Sequence, residues 1–455
     1  MGYNQMKRII FTGICMAASL FSHAQNPIIQ TVFTADPAPM VYNDTLYLYT
    51  GHDEDKSTWF TMKDWKCYTT TDMVNWTDHG TPLSLKTFSW AKQDAWAGQC
   101  IFRNGKFYWY VPMNHETMGM SIGVAVASSP YGPFTDALGK PLVHSGNGDI
   151  DPTVFIDNDG QAYLYWGNPY LKYVKLNEDM ISYSGDIITV PLNAEGFSKR
   201  IKDADKRPSE YEEGPWLYKR KDLYYLAYPA GGVPEHLAYS TGPTATGPWK
   251  YRDTIMPVIK KGGAFTNHPG IIDYKGRSYL FYHNGALPGG GGFNRSVCVE
   301  EFTYNADGSI PRIAATSGII KSLQNLNPFK RVEAETIAWE EGIETATDNE
   351  AGIYVTAIEN NDYIKVRSVD FGNAAKSFKA NLAAAAGGGT IEIHLDSLAG
   401  NLIGTLNVKT TGSFSNWQIQ TCKVNNIKGK HDVFFVFHGT EGNLFNFNWW
   451  QFGKK

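Results

Sequence analysis

The chain has 455 residues, 42% of them apolar, which is enough for two or three domains with sizeable hydrophobic cores. Its formal net charge of −4 and its pI near 6.3 give no general attraction to nucleic acid or to anionic membranes, so we expect neither as a partner. Aromatic residues make up 14% of the chain, and this excess favours aromatic packing between sheets together with stacking surfaces for a ligand such as a sugar ring.

The first 24 residues have the pattern of a secretory signal. A basic start, Lys7-Arg8, precedes an apolar run from Ile9 to Phe21, and Ser22-His23-Ala24 fits a cleavage site. We therefore expect a mature chain from Gln25 and a secreted or periplasmic protein. Four cysteines remain after cleavage, and their wide spacing shows no metal motif and leaves three pairings open: Cys67, Cys100, Cys298 and Cys422.

One hairpin plan recurs five times between residues 26 and 325. Each copy begins with a polar or aromatic residue beside a Pro or a small residue, runs into a short apolar stretch, and turns at Gly, Asn or Asp before a Tyr/Phe-rich stretch. The copies start 55 to 62 residues apart, at Asp36-Pro37, Trp96-Ala97, Asp151-Pro152, Glu213-Gly214 and His268-Pro269. A second strand pair follows in several copies. This period predicts a five-bladed β-propeller with four strands in each blade.

In a propeller, the strand nearest the axis begins each blade, so the five starts are expected to meet at one mouth of the central channel. Three carboxylates, a Trp and a His would then surround a single pocket, which indicates a carbohydrate hydrolase. Breaking a glycosidic bond needs one carboxylic acid to protonate the leaving oxygen and one carboxylate to activate water or attack carbon. We assign the base to Asp36, because Pro37 fixes its backbone. Glu213 suits an acid whose pKa is raised by apolar surroundings and by Asp151, which would orient it and keep it protonated.

Other interpretations of these residues stay open at this point. The Asp-Pro and Glu-Gly-Pro pairs open strands as turn residues in many proteins, although three acids at one repeat position favour catalysis. Trp96 fits either blade packing or stacking on a sugar. His268 fits either a hydrogen-bonded core histidine or a pocket residue.

Two long connections are candidates for specificity. Residues 187–211 form an irregular, charge-rich link between the third and fourth repeats, which predicts a loop at the rim of the pocket. Residues 285–295 are rich in Gly and deliver Arg295 to a following strand. A phosphate-binding loop is disfavoured there, because neither a Lys-Ser/Thr pair nor a helix follows.

The repeat ends near residues 321–328, and from Arg331 many short strands alternate with Gly/Asn turns. This pattern predicts a separate β-sandwich. The fold class expected is therefore all-β, with a propeller over residues 25–325 and a sandwich over residues 326–455. Without a Ser/Gly-rich spacer, the two domains should pack together.

The first domain resembles glycoside hydrolase family 43. The residues that carry the resemblance are Ala35-Asp36-Pro37, Trp96-Ala97, Ile150-Asp151-Pro152 and Glu213-Gly214-Pro215. The resemblance implies a five-bladed propeller that inverts configuration without a cofactor, with Asp36 as general base, Asp151 as pKa modulator and Glu213 as general acid. It also places His268 and Arg295 in the pocket, whereas residues 57–65 have no role in the family pattern.

The second domain is similar to carbohydrate-binding module family 6, a β-jelly roll. The resemblance rests on Arg331–Glu335, Asn360–Tyr363, Leu395–Ser397 and Asn446–Phe452. It implies a structural calcium ion held by Glu333 and Glu335, with Asn448 where an Asp is common. It also implies a sugar cleft with Trp417 and Asn446, in which Ala357 stands where a second aromatic is expected.

Joined in this order, the two domains are similar to secreted arabinoxylan arabinofuranohydrolases. The resemblance implies an inverting, exo-acting α-L-arabinofuranosidase that removes arabinose side chains from arabinoxylan or a related plant cell-wall polysaccharide. A β-xylosidase fits the same acids, since both sugars are pentoses, and an endo-acting xylanase or arabinanase fits if the pocket opens into a groove. A carbohydrate-binding propeller without turnover is the alternative from another class.

Overall fold

The computed structural model describes residues 26–372, 374–440 and 442–455, so the signal segment predicted for residues 1–24 lies outside the described residues. Strands dominate this part of the chain, which also contains a 3₁₀ turn at Leu85–Thr87 and a short α-helix at Ala194–Phe197. Within these ranges, no helix is long and apolar enough to cross a membrane.

The first domain consists of five antiparallel sheets in chain order. The first sheet contains β1 Thr34–Tyr42, β2 Thr45–Asp53, β3 Met62–Thr70, β4 Trp76–Asp78 and β5 Leu83–Ser84. The second contains β6 Ala91–Gln93, β7 Gln99–Arg103, β8 Lys106–His115, β9 Gly119–Ala127 and β10 Thr135–Asp136. The third contains β11 Thr153–Ile156, β12 Ala162–Trp166, β13 Lys172–Leu176 and β14 Tyr183–Thr189. The fourth contains β15 Trp216–Arg220, β16 Leu223–Ala230, β17 His236–Gly242 and β18 Lys250–Met256, and the fifth contains β19 Gly270–Tyr274, β20 Arg277–Asn284 and β21 Ser296–Phe302.

These five sheets are the blades of a propeller. The inner strands β1, β7, β11, β15 and β19 each contact the next one in the ring, and β19 contacts β1 again. Large aromatic side chains fill the space between blades, as where Tyr49 of the first blade meets Trp109 of the second with ring centroids 4.7 Å apart. The predicted five-bladed propeller is therefore confirmed, and many of the aromatic residues lie between its blades.

The fifth blade differs from the predicted four strands, because it has three among the described residues. Residues 26–28 lie along its outer strand instead: Ile28 N donates to Val297 O, and the Asn26 side chain exchanges two hydrogen bonds with the backbone of Val299. The N-terminal segment thus covers the last blade without adopting strand geometry, which the hairpin pattern of the sequence did not indicate.

The second domain is a β-sandwich, as predicted. Its strands are β22 Val332–Glu333, β23 Thr336–Ile337, β24 Trp339–Glu341, β25 Glu344–Asp348, β26 Gly352–Thr356, β27 Tyr363–Asp370, β28 Ala375–Ala383, β29 Thr390–Leu395, β30 Asn401–Asn407, β31 Gln418–Ile427, β32 Lys430–His438 and β33 Asn446–Gly453. One sheet has the order β25-β26-β33-β28-β31 with β22 beside β33, and the other has the order β24-β27-β32-β29-β30. Alternate residues of the facing strands enclose an apolar core.

The two domains share a sheet. Strand β23 of the second domain pairs antiparallel with β4, the outer strand of the first blade, with Thr336 opposite Thr77. The Asn75 side chain also exchanges hydrogen bonds with the backbone of Arg367. The domains are therefore packed together, as the missing spacer predicted, and the four cysteines of the described residues are unpaired.

Candidate active site

The five blade starts surround one cavity of about 420 Å³ at the mouth of the central channel. Asp36, Trp96, Asp151, Glu213 and His268 all line it, although they are separated by 55 to 62 residues in sequence. Ring closure therefore brings together the residues that the repeat predicted would meet. Arg295, from the strand after the Gly-rich loop, lines the same cavity.

Two of the acids stand on an uncommon backbone conformation. Asp36 has φ 55° and Asp151 has φ 57°, and each precedes a Pro. Left-handed φ values are disfavoured for residues other than Gly, and they concentrate at functional sites where the surrounding structure enforces them. At Asp36 the pairing of β1 with β2 also shifts register between Ala35 and Ala38, which turns the carboxylate out of the strand pattern and into the cavity.

Arg295 fixes Asp36 from the side. Its Nη1 donates to Asp36 Oδ1 at 3.0 Å, while its Nε and Nη2 form a two-pronged ion pair with Asp53 at 2.9 and 2.8 Å. All three side chains are buried. Asp53 at the end of β2 thereby orients the guanidinium, and the guanidinium orients the carboxylate of Asp36.

The imidazole of His268 lies between Asp36 and Glu213. Its Nδ1 is 3.4 Å from Asp36 Oδ1, and its Nε2 is 3.5 Å from Glu213 Oε1. Burial acts to lower the pKa of His268, but the charges of Asp36, Asp151 and Glu213 raise it to about 10, so the ring is a cation at neutral pH. Glu213 and Asp151 lie on its far side, and their nearest oxygens and the His268 nitrogen are within 4.8 Å of one another.

The proton of the acid pair does not lie where the sequence predicted. Burial and the charges of Glu213 and Asp36 raise the pKa of Asp151 to about 7, against the lowering effect of His268. Burial acts to raise the pKa of Glu213 as well, but the His268 ring and the Asn168 amide, which donates to Oε2 at 2.6 Å, lower it. The expected raised pKa of Glu213 is therefore wrong for the ligand-free pocket, because contact with the imidazolium outweighs burial. Of the two carboxyls, Asp151 therefore has the higher pKa and the stronger tendency to hold a proton.

A second histidine supports the backbone of the first blade. His283 Nδ1 accepts from Asp36 N at 3.2 Å, and its Nε2 lies 2.8 Å from Thr266 O, which assigns the proton to Nε2. Burial and the neighbouring Arg295 and His268 cations hold the pKa of His283 well below its usual value. His283 is thus neutral, and it fixes the position of Asp36 through the main chain.

The loop over residues 187–211 reaches the pocket through two arginines. Arg200 and Arg207 both pair with Glu212, the neighbour of Glu213, and Arg207 also donates to Asn168 Oδ1 at 2.9 Å. Asn168 in turn holds Glu213. The loop therefore supports the acid indirectly, and Arg207 lines the cavity.

Aromatic side chains form the rim. The Trp96 indole donates to Phe60 O at 2.9 Å, and Trp59 packs against Phe60 and Phe293 with centroid distances of 5.3 and 5.8 Å. Phe265 also contacts Phe293, at 5.0 Å. Trp59 is 58% exposed although it lines the cavity. The segment to which the family pattern gave no role thus supplies an open aromatic face beside the acids.

Four further residues of the pocket were missed by the sequence reasoning: Asp53, Asn168, Glu235 and His283. None of them stands at a blade start. Asp53 and His283 lie at the ends of second strands, and Asn168 and Glu235 lie in connections. The repeat marks first strands alone, and the family resemblance named no residue at these positions.

In the second domain, Trp417 and Asn446 lie in one region without forming an open cleft. The Trp417 ring packs edge-on against Tyr354 at 5.1 Å. Asn446 is buried, and its amide is occupied, because Nδ2 donates to Phe414 O and Oδ1 accepts from Thr356, both at 2.8 Å. These contacts occupy the side-chain amide of Asn446, and sugar binding at Trp417 and Asn446 stays a prediction.

The calcium ligands predicted for this domain do not form an oxygen cage as they stand. Arg331 donates to Glu333 Oε2 at 2.7 Å and to Asn448 Oδ1 at 3.3 Å, and Asn448 Nδ2 donates to Ala351 O at 2.9 Å. Glu335 Oε2 is buried without a partner among the described residues. Calcium takes six to eight oxygen ligands. Here the Arg331 guanidinium binds the oxygens of Glu333 and Asn448 instead, and the Asn448 side-chain N–H binds a carbonyl oxygen. A calcium ion at Glu333, Glu335 and Asn448 therefore stays a prediction that requires Arg331 to move.

Comparison with known families matches both domains. The model of glycosyl hydrolases family 43 matches residues 24–310, and that of carbohydrate binding module family 6 matches residues 333–454. The predicted domain limits at 24/25 and 325/326 stay predictions. The last blade strand ends at Phe302, and the first sandwich strand begins at Val332.

Relatives named arabinoxylan arabinofuranohydrolase resemble the chain over nearly its full length. An arabinoxylan arabinofuranohydrolase of Bacillus subtilis (strain 168) is 36% identical over 94% of this chain and 92% of its own length. The crystal structure of such a family 43 enzyme from Bacillus subtilis, in complex with cellotetraose, superposes with a TM-score of 0.82 at 33% identity and covers 95% of this chain and 98% of that one. A xylosidase/arabinosidase of Bacteroides ovatus is 32% identical over 61% of this chain and 94% of its own.

Proposed function

This chain belongs to glycosyl hydrolase family 43 and is a glycosidase with a carbohydrate-binding module, and from that premise we propose that it is an inverting, exo-acting α-L-arabinofuranosidase. Its substrate would be arabinoxylan or a related plant cell-wall polysaccharide, from which it removes arabinose side chains. One observation carries this proposal: Asp36, Asp151 and Glu213 face a single cavity, with one imidazole between the first and the last.

The spacing of the acids is compatible with inversion. His268 contacts Asp36 at 3.4 Å and Glu213 at 3.5 Å through its two nitrogens, so these carboxyl oxygens are at most about 9 Å apart, compared with ~6.5–9.5 Å in inverting glycosidases. Asp36 Oδ2 has no hydrogen-bond partner among the described residues, since the ligands of this carboxylate gather on Oδ1. That oxygen is free to take a proton from water as the water attacks the anomeric carbon.

Glu213 would protonate the leaving oxygen, with the proton held in common with Asp151. In the empty pocket His268 favours the ionised form of Glu213. A sugar that enters between His268 and Glu213 separates them and removes this effect, while the charge of Asp36 still disfavours a second carboxylate nearby. The shared proton then moves to the carboxyl that faces the glycosidic oxygen.

The length of the resemblance favours arabinose as the sugar released. Relatives named arabinoxylan arabinofuranohydrolase match 94% of the chain, including the second domain, whereas the Bacteroides ovatus xylosidase/arabinosidase matches 61%. The alternative, a β-xylosidase, uses the same acids. The open face of Trp59 beside the cavity favours a polymeric substrate, because an exposed aromatic ring can stack on the next sugar of a main chain.

Product analysis tests the proposal directly. The purified protein is incubated with wheat arabinoxylan, arabinan, xylo-oligosaccharides and the nitrophenyl arabinofuranoside and xyloside. Release of arabinose with the main chain intact supports it, whereas xylose or shortened main chains point to the xylosidase or endo alternatives. Proton NMR of the first anomer formed tests inversion. No release from any substrate would favour a binding protein.

The compartment is a separate proposal. The segment over residues 1–24 supports export, which places the enzyme outside the cytoplasm where plant polysaccharides are met. N-terminal sequencing of the protein recovered from the expressing cell's periplasm or medium should begin at Gln25. A cytoplasmic product that retains Met1 would contradict it.

A further inference from the structure

Besides the three acids of the proposed hydrolysis and Glu212, which is paired with two arginines, a fifth acid lines the cavity. Glu235 lies in the connection between β16 and β17, lines the cavity, and is 5% exposed. Its backbone N donates to Phe265 O at 3.2 Å, and its Oε2 accepts from Asn267 N at 3.0 Å. Asn267 directly precedes His268, so the carboxyl group is fixed relative to the ring that touches Asp36 and Glu213.

Only one of the two oxygens of Glu235 is used by the protein. Oε1 has no hydrogen-bond partner among the described residues, and it is not one of their fully buried polar atoms, so it is accessible from the cavity that Glu235 lines. A carboxyl oxygen that is open to a cavity and free of protein partners can bind a ligand or water there. If Glu235 only anchored the Asn267 backbone, Oε2 alone would be sufficient.

The charges around Glu235 favour its protonated form. Glu213 and Glu212 face it from the start of the fourth blade, and His268 faces it from the fifth. Burial and the charge of Glu213 raise the pKa of Glu235 well above its usual value, and the opposing effect of His268 is smaller. No arginine or lysine pairs with it in the part of the chain that the structure describes. These surroundings therefore favour the protonated carboxyl, which can donate its O–H as well as accept a hydrogen bond.

We propose that Glu235 is a substrate-binding residue whose free carboxyl oxygen forms a hydrogen bond with one hydroxyl of the pentose that lies between the three acids. This inference rests on the proposed function, since it assumes a pentose in the cavity. A sugar hydroxyl is both donor and acceptor, and it matches a carboxyl held in a mostly apolar wall beside Phe265. Sites that hydrogen-bond a hydroxyl reject sugars that lack it, because the buried partner is left unpaired.

The experiment combines Glu235→Ala with substrates that lack single hydroxyls. Glu235→Ala should lower kcat/KM for nitrophenyl α-L-arabinofuranoside about 10- to 100-fold, which is the loss of one buried hydrogen bond to substrate. Glu235→Gln keeps a donor and an acceptor and should recover most of that loss. Glu178→Ala, at an exposed turn of the third blade, is the matched control and should leave the rate unchanged. Thermal unfolding midpoints of all three variants identify any loss that is due to folding.

The decisive measurement uses the 2-, 3- and 5-deoxy arabinofuranosides. For one of them, the penalty of the missing hydroxyl should be large in the wild type and nearly absent in Glu235→Ala, because the contact can be lost only once. Additive penalties for all three substrates, or unchanged kinetics of Glu235→Ala, would overturn the assignment. If the wild type prefers the xyloside, the proposed function fails. The same comparison of wild type and Glu235→Ala, made with deoxy-xylosides, then still tests Glu235.

Discussion

Asp36 and Glu213 face each other across a single imidazole ring. The nitrogens of His268 reach them at 3.4 and 3.5 Å, although the two acids are 177 residues apart in the sequence. The ring therefore serves as an internal cation that keeps the three acids together.

Replacing Glu213 separates the two acid roles. Glu213→Gln should lower kcat on arabinoxylan about 10²–10⁴-fold, because the leaving sugar oxygen requires a proton. The loss should be smaller on a dinitrophenyl arabinofuranoside, whose leaving group departs without one. Asp36→Asn should lower kcat on both substrates by a similar factor, because water must be activated in each case. Equal losses on the two substrates in Glu213→Gln would remove Glu213 from the acid role.

The alkaline limb of the pH profile should report the shared proton. Hydrolysis needs one proton on the Asp151/Glu213 pair, and the pKa of Asp151 is raised to about 7, so kcat/KM should fall as pH rises through about 7. Asp151→Asn removes a negative charge beside Glu213. The pKa of Glu213 should then fall further, and the limb should move to lower pH. A limb that stays in place in Asp151→Asn would show that Asp151 does not tune the acid.

Removing the guanidinium should damage stability and catalysis together. Arg295→Met leaves Asp53 buried without its partner, and breaking such a pair typically costs about 3–5 kcal/mol. The double variant Asp53→Asn with Arg295→Met should recover much of the stability, because no buried charge remains. It should not recover the rate, since Asp36 has still lost its orienting donor. Urea unfolding and kcat measured on the same samples test both statements.

Trp59 should matter more for polymer than for small substrates. Trp59→Ala removes an exposed ring whose stacking we estimate at about 1 kcal/mol, or roughly fivefold in KM for arabinoxylan. The nitrophenyl arabinofuranoside, which lacks a main chain, should show a clearly smaller change. Tyr131→Ala, which removes an aromatic ring that is 49% exposed and does not line the cavity, is a suitable control. An equal effect of Trp59→Ala on both substrates would contradict a role in binding the main chain.

The Glu335 carboxyl should make stability depend on pH. Burial and the charges of Glu333 and Asp78 raise the pKa of Glu335 well above its usual value. A raised folded-state pKa favours folding at pH values below the unfolded pKa of about 4.3, and this contribution is lost as pH rises through the folded pKa. Between pH 5 and 8 in EDTA, the unfolding midpoint should therefore fall in the wild type.

The unfolding midpoint of the variant Glu335→Gln should fall less between pH 5 and 8. At pH 8 the variant should be more stable than the wild type, by about 1–3 kcal/mol. Calcium gives an independent readout in the same assay. If the ion binds Glu335, added calcium should raise the midpoint of the wild type at pH 8 and leave the variant unaffected. A variant that is less stable than the wild type in EDTA at pH 8 would contradict the pH argument.

The repeat made the fold and the three acids predictable, because each blade start combines a polar side chain with a Pro or Gly at a fixed distance from a turn. Asp53 and Asn168 escaped this reasoning, since each acts on a residue far away in sequence through contacts that only ring closure creates. The pKa of Glu213 was misjudged for a related reason. Its value depends on His268 at 3.5 Å, and no sequence spacing specifies that distance.

The second domain shows the same limit. The sandwich and its strands followed from the alternation of apolar residues and Gly/Asn turns. The contact of Trp417 with Tyr354 did not follow from this pattern, because the family resemblance drew attention to Ala357 instead. Side-chain neighbours across a sheet depend on register, which a pattern of residue types describes only in part.

Strand β23 has a consequence for how this enzyme can be divided. Because it completes the outer edge of the first blade, a chain cut between residues 325 and 332 would leave the β4 backbone groups open to another molecule. The catalytic half released in this way should self-associate, and exchanging the module for an unrelated one should fail unless the newcomer brings its own edge-covering segment. In this protein, the appended module is a part of the propeller wall as well as a neighbour to it.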